Sequence, residues 1–187
     1  PMMGLRMTDS HQHSSRRPLV VGMGQTLRGD DGVGWKVAER FEELHPNVAD
    51  ILLVKPLLPE HAEPISRASV VVLIDASMGN ATLRLSCWPM SPMTGTPPLA
   101  ITHSASIDEI LAYARGVFGE PPPIALLTIG VHEVGLGEGI SPKVAALVDP
   151  AVNLSYACIH LHQSGERSLL VDNLPSSADA NNSWRIA

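Results

Sequence analysis

Residues 19–37 read LVVGMGQTLRGDDGVGWKV. A short apolar run leads into a glycine-containing loop, two adjacent aspartates and then an amphipathic segment. That order predicts a buried strand, a tight turn and a helix, the opening of an α/β unit. The loop delivers Asp30 and Asp31 to the carboxyl end of the strand, where open α/β sheets place their ligands. Whether these aspartates bind a metal, cap a helix or do catalysis decides what the protein is.

The rest of the chain repeats the alternation. Residues 50–55 (DILLVK), 70–75 (VVVLID) and 124–131 (IALLTIGV) predict further strands. The run at 70–75 is apolar until its last residue, Asp75, as expected of a strand covered on both faces. Residues 82–88 alternate Leu83, Leu85 and Cys87 against Arg84 and Ser86, which predicts a half-exposed strand suited to an edge. Helices are predicted over 32–45, where Val33, Val37, Phe41 and Leu44 recur at helical spacing, and over 106–118, capped by Ser106. A short helix at 59–67 has Pro59 near its start, with Pro64 as a possible break. The last helix starts at Ser141–Pro142, with Pro150 expected to kink or split it. The fold class is therefore α/β, with a three-layer architecture: a twisted, mostly parallel five-stranded sheet between helices. One domain spans 18–164; residues 1–17 are expected to be a disordered tail and 165–187 a polar one.

A formal charge of −6 and the absence of a basic patch argue against a nucleic-acid partner. No apolar run in the sequence approaches the roughly 20 residues needed to span a bilayer, so no membrane partner is expected. The amino-terminal residues lack the apolar stretch and small-residue site of a secretory signal, and Arg16–Arg17 leads into a Gly-Asp-Asp loop rather than a signal core. Cys87 and Cys158 are the two cysteines, far apart and in no Cys-x-x-Cys pattern, which suits buried thiols in a reducing cytoplasm. A cytoplasmic monomer is the expectation.

Three side chains fall together at the carboxyl ends of the predicted strands: Asp31 after the first, Asp75 ending the third, and His103 in the loop leading to the helix after the fourth. Each has an ordinary structural reading. Either aspartate at 30 or 31 could cap the helix behind it. Asp75 could accept backbone hydrogen bonds at a strand end, and His103 could be a plain loop histidine. The coincidence favours Asp31, Asp75 and His103 as one site, although the residues alone leave the capping role open between Asp30 and Asp31. His132 and Glu133 also follow a strand and read as a solvated loop. Gly22 and Gly24 suit a tight turn and close backbone approach, Gly32 and Gly34 the start of a helix against the sheet. Two carboxylates and an imidazole suit a borderline divalent ion.

GMGQTLRGDDGVGWKVAERF resembles the opening motif of the hydrogenase maturation peptidases, in which a strand leads into Gly-x-Gly, a short loop, Asp followed by Asp or Glu, and a Gly-containing helix start. VVVLIDASMG is similar to that family's third strand, THSASIDEILAYAR to its histidine and following helix, and TIGV with GLGEGISPKVAALV to its last strand and helix. The resemblance runs from about residue 19 to 161. It implies an endopeptidase that removes a C-terminal extension from the nickel-loaded large-subunit precursor of a nickel–iron hydrogenase. Nickel carried by that precursor would be the recognition signal. The family's nickel-binding residues map onto Asp31, Asp75 and His103, which are then both the metal ligands and the catalytic group, and the resemblance makes Asp30 the structural member of its pair. The same ligand set would serve a non-catalytic nickel-sensing chaperone of the same precursor. A dinucleotide-binding domain is a poorer fit, because Leu27 stands at the third glycine position and two acids would face the pyrophosphate.

Overall fold

The computed structural model describes residues 16–88, 107–132, 134–137 and 139–165. Residues 1–15 and 166–187 of the two tails, the 89–98 loop, the Ser106 cap, Glu133 and His103 lie outside the described residues, whereas Arg17, assigned to the amino-terminal tail, bonds to the Asn47 carbonyl and pairs with Asp50.

Five strands form one sheet: β1 Leu19–Met23, β2 Asp50–Val54, β3 Val71–Met78, β4 Leu83–Trp88 and β5 Ile124–Val131, in the order β2-β1-β3-β5-β4. The pairs β1–β2, β1–β3 and β3–β5 are parallel, and β4 runs antiparallel to β5 at the edge. Only residues 79–82 separate β3 from β4. That link is too short for a parallel crossover, which takes a dozen residues or so, and the chain must return antiparallel. It passes over β5 at Gly130, where a side chain would collide with the carbonyl of Asn80. β1 is buried throughout, and β3 is buried from Val71 to Ile74, as their unbroken apolar runs require.

Alternation splits the core into two layers. Val20, Val72, Ile74, Leu127 and Ile129 face one side, where they meet Val33, Val37, Ala38 and Phe41 of helix α1 (Val33–Leu44). Val144 of the short helix α4 (Pro142–Ala145) and Val148, Val152 and Ile159 of α5 (Val148–Gln163) complete that layer. Val21, Met23, Val71 and Leu73 face the other side, against Ala62 and Ile65 of α2 (Ala62–Arg67) and Ile110, Leu111 and Ala114 of α3 (Ile107–Phe118). The 22 residues Pro142–Gln163 are long and apolar enough, by composition, to cross a membrane. Here their apolar positions lie in the core against α1 and the sheet.

Three local expectations change. Leu44 is exposed, because α1 ends there and the chain turns away before its last apolar position reaches the core. The final helix does divide, but at residues 146–147. Pro150 sits in the first turn of α5, where a missing N–H leaves no hydrogen bond unmade. Pro64 is tolerated in α2 for the same reason, two residues past the helix start.

The layers close tightest between α1 and β1. A side chain at Gly34 would strike the carbonyl oxygens of Met23 and Ile74, and one at Gly22 would strike the Gly34 carbonyl. The helix therefore lies directly on the backbone of β1 and β3. Replacing Gly34 with Ala should cost about 3 kcal/mol or more, since backbone rather than a flexible side chain must move. Chemical denaturation would measure the loss.

Candidate active site

The sheet order places the topological switch between β1 and β3. From β1 the chain steps outward to β2 through α1, then back across to β3 on the other side. Connections leaving the two strands in opposite directions open a crevice at their carboxyl ends. Asp31 and Asp75 flank it.

Asp31 lies in the 24–32 loop after β1. Gly24 begins this loop at φ +123°, a conformation open to glycine, and it packs on the Asp31 backbone, leaving no room for a side chain. The Asp31 amide donates to the Arg28 carbonyl at 3.2 Å, and its Oδ2 accepts from the Gln25 amide at 2.9 Å. The carboxylate thus closes its own loop. Gly32 precedes α1 as cap residue, and no side chain caps that helix, so the capping role weighed for Asp30 and Asp31 belongs to neither.

Asp30 is buried and turned the other way. Its Oδ1 accepts from the Ser141 amide at 2.6 Å and its Oδ2 from the Ser141 hydroxyl at 3.0 Å. Ser141 is the cap residue of α4, as its sequence position suggested, but its hydroxyl donates to Asp30 instead of accepting from the helix. Beside this bond the Gly29 amide donates to the Gly137 carbonyl at 2.9 Å, and the Gly137 amide to the Leu27 carbonyl at 3.1 Å. The Asp-bearing loop is therefore clamped to the loop after β5. Asp30 is the structural member of the pair.

Asp75 is not the last residue of β3. The strand continues to Met78 because β5 pairs with it past Ile74, where its pairing with β1 ends opposite Gly22. Asp75 is thus the first β3 residue without a β1 pairing partner, at the crevice between the two strand ends. Val71 and Leu73 face α2 and α3, and period two assigns Asp75 to that same face. Its Oδ1 accepts from the Ala76 amide at 2.9 Å. Its pKa is raised to about 6, chiefly by burial and in smaller part by the nearby Asp31 carboxylate, against the lowering effect of the Ala76 hydrogen bond.

The fold thus brings two of the three candidates together. His103 lies outside the described residues, and among those described no group of three or more metal-ligating side chains occurs. His132 is exposed at the end of β5. Among the described residues Asp31 Oδ1 and Asp75 Oδ2 accept no hydrogen bond, so each carboxylate keeps an oxygen for a ligand. Such a pair can share a proton or hold a divalent cation through oxygen. Sequence reading did not find Ser141 as the partner of Asp30. The two stand 111 residues apart, and each has a sufficient local explanation.

A sheet of this order with paired acids at the switch point defines a class of α/β protein that works at the strand ends. No protein-family model matches the chain, and no curated protein does. Solved structures do. The hydrogenase maturating endopeptidase HybD from E. coli matches with TM-score 0.62 at 21% identity, covering 80% of this chain and 94% of that one. A hydrogenase 2 maturation peptidase from a Thaumarchaeota archaeon matches with TM-score 0.58 at 20% identity, over 78% and 99% of the two chains. The hydrogenase maturation protease HycI from Thermococcus kodakarensis matches with TM-score 0.55 at 22% identity, over 81% and 96%. The chain shares their fold.

Two consequences are measurable. Asp30→Ala removes a buried carboxylate that accepts from the half-buried Ser141 amide and hydroxyl and should cost about 1–3 kcal/mol in denaturant unfolding. For Asp75, the folded pKa lies above the ordinary carboxylate value of 3.8. Its contribution to stability is complete below that value and is lost as the pH rises through about 6. Asp75→Asn keeps the acceptor for Ala76 and removes the charge, so it should raise the melting temperature of the metal-free protein at pH 7.5. The gain should shrink toward pH 4. Thermal scans across that range read the difference.

Proposed function

We propose that this protein is an endopeptidase that removes a C-terminal extension from the nickel-loaded large-subunit precursor of a nickel–iron hydrogenase, working as a monomer in the cytoplasm. The observation that carries the reading is the meeting of Asp31 and Asp75 at the β1/β3 switch point. It is supported by a fold shared with solved hydrogenase maturation endopeptidases and by the resemblance of the sequence motifs.

Nickel enters as part of the substrate. The oxygens of Asp31 and Asp75 that accept no hydrogen bond among the described residues would, with the imidazole of His103, make a donor set that suits a borderline divalent ion and leaves positions for the precursor's own ligands. His103 stands four residues before Ile107, where α3 begins, and α3 packs on the face of the sheet to which Asp75 belongs. When bound, the metal would supply polarisation of the scissile carbonyl or a more acidic water. The chain's own share is positional. The clamp between Asp30 and Ser141 fixes the loop, the Gln25 amide orients Asp31, and β3 presents Asp75. Asp75 gives up its proton when the cation docks, so affinity for the loaded precursor rises with pH through about 6.

The test is a mass spectrum of a large-subunit precursor, with and without nickel, after incubation with the protein. A short C-terminal peptide should be lost only from the nickel-loaded form. Asp31→Asn and His103→Ala should keep the fold by circular dichroism and lower processing at least about a hundredfold, as expected when a ligand that acts in the transition state is removed. A fully active Asp31→Asn protein would exclude the ligand role. Binding of the loaded precursor without shortening would instead mark a non-catalytic, nickel-sensing chaperone.

A further inference from the structure

Leu27 is 51% exposed and Leu136 is 95% exposed. They belong to the two loops that leave the carboxyl ends of β1 and β5, and those loops are bonded to each other at these positions. The Leu27 carbonyl accepts from the Gly137 amide, next to Leu136, and the Gly29 amide donates back to the Gly137 carbonyl. Leu27 stands within the loop that the Asp31 carboxylate closes onto Gln25. The hydrogen-bonded Asp30–Ser141 pair holds the other side of the same junction. The two leucines thus stand at neighbouring backbone positions of two braced loops, each presented to water, with Leu27 in the same loop as Asp31. Leaving them in water forgoes a favourable burial that neither loop supplies itself.

We propose that Leu27 and Leu136 form an apolar rim that reads a bulky apolar side chain of the peptide substrate, close to the bond to be cut. This rests on the endopeptidase reading and extends it from the metal to the peptide. The two carboxylates recognise the substrate's cation and say nothing about the chain around it. The rim adds a sequence preference, since a polar side chain laid on two leucines loses its water without gaining a partner. Because the backbone under the rim is fixed by its own hydrogen bonds, little ordering cost opposes docking.

Leu27→Ser, Leu136→Ser and the double variant test the rim against nickel-loaded precursor. Affinity is read by titration calorimetry, release of the C-terminal peptide by mass spectrometry, and stability by melting temperature. Each single change should weaken binding about tenfold, with KM rising more than kcat falls, while the melting temperature stays close to wild type. Apolar precursor residues flanking the cut are then changed to Ser one at a time. One of these should weaken wild-type binding by a similar factor and have little further effect on the double variant, the signature of a direct contact. Unchanged affinity in the double variant, with the wild type cutting normally, overturns the rim and leaves the peptidase reading intact. Binding by the wild type without cutting overturns the peptidase reading, and the affinity loss still decides the rim. Failure of the wild type to bind the loaded precursor overturns both.

Discussion

Where Gly22 and Gly34 face each other, helix α1 touches the sheet backbone with no side chain between them, because any other residue there would collide. Everything at the carboxyl end of the sheet follows from that contact. The helix starts close to the end of β1, so the loop between them is held low over the strand ends. The loop turns through Gly24 and brings Asp31 onto its own first amide. On a thicker interface the same residues would stand away from β3, and the Asp31 carboxylate would no longer raise the pKa of Asp75.

Two neighbouring aspartates have opposite fates because of what surrounds them. Asp30 is buried and its carboxylate oxygens accept bonds from Ser141, so it ties two loops together. Among the described residues, Asp31 and Asp75 each keep an oxygen without a protein donor, and they stand close enough for the Asp31 charge to raise the Asp75 pKa. A protein selected for stability alone would place an amide at position 75. The retained carboxylate costs folding energy near neutral pH, a pattern usual where charge is kept for a ligand. The apolar rim of Leu27 and Leu136 repeats it in another form, with surface that would be better buried left open beside the same site.

Much of the architecture was legible in local pattern. The five strands, the helices that cover them and the edge position of 83–88 are all found where periodicity and apolar runs put them. The antiparallel direction of β4 went unread, although the short link after β3 forces it. The misplaced details share a cause. Leu44 satisfies the helical stripe but lies at the helix end, Pro150 reads as a break yet falls in a first turn, and Asp75 looks terminal until β5 extends its strand. Each depends on where an element stops, which neighbouring elements settle rather than local propensity.

The sequence by itself determined the order and type of the elements, the glycines at the β1–α1 contact and the presence of acids at strand ends. These follow from side-chain period and backbone sterics, which act over a few residues. Only the tertiary structure decided which aspartate faces Ser141 and which faces Asp75. It alone set the switch between β1 and β3, and it alone placed Leu27 beside Leu136. Those relations join residues far apart in the chain through strand order and backbone hydrogen bonds, and no local pattern in the sequence encodes them.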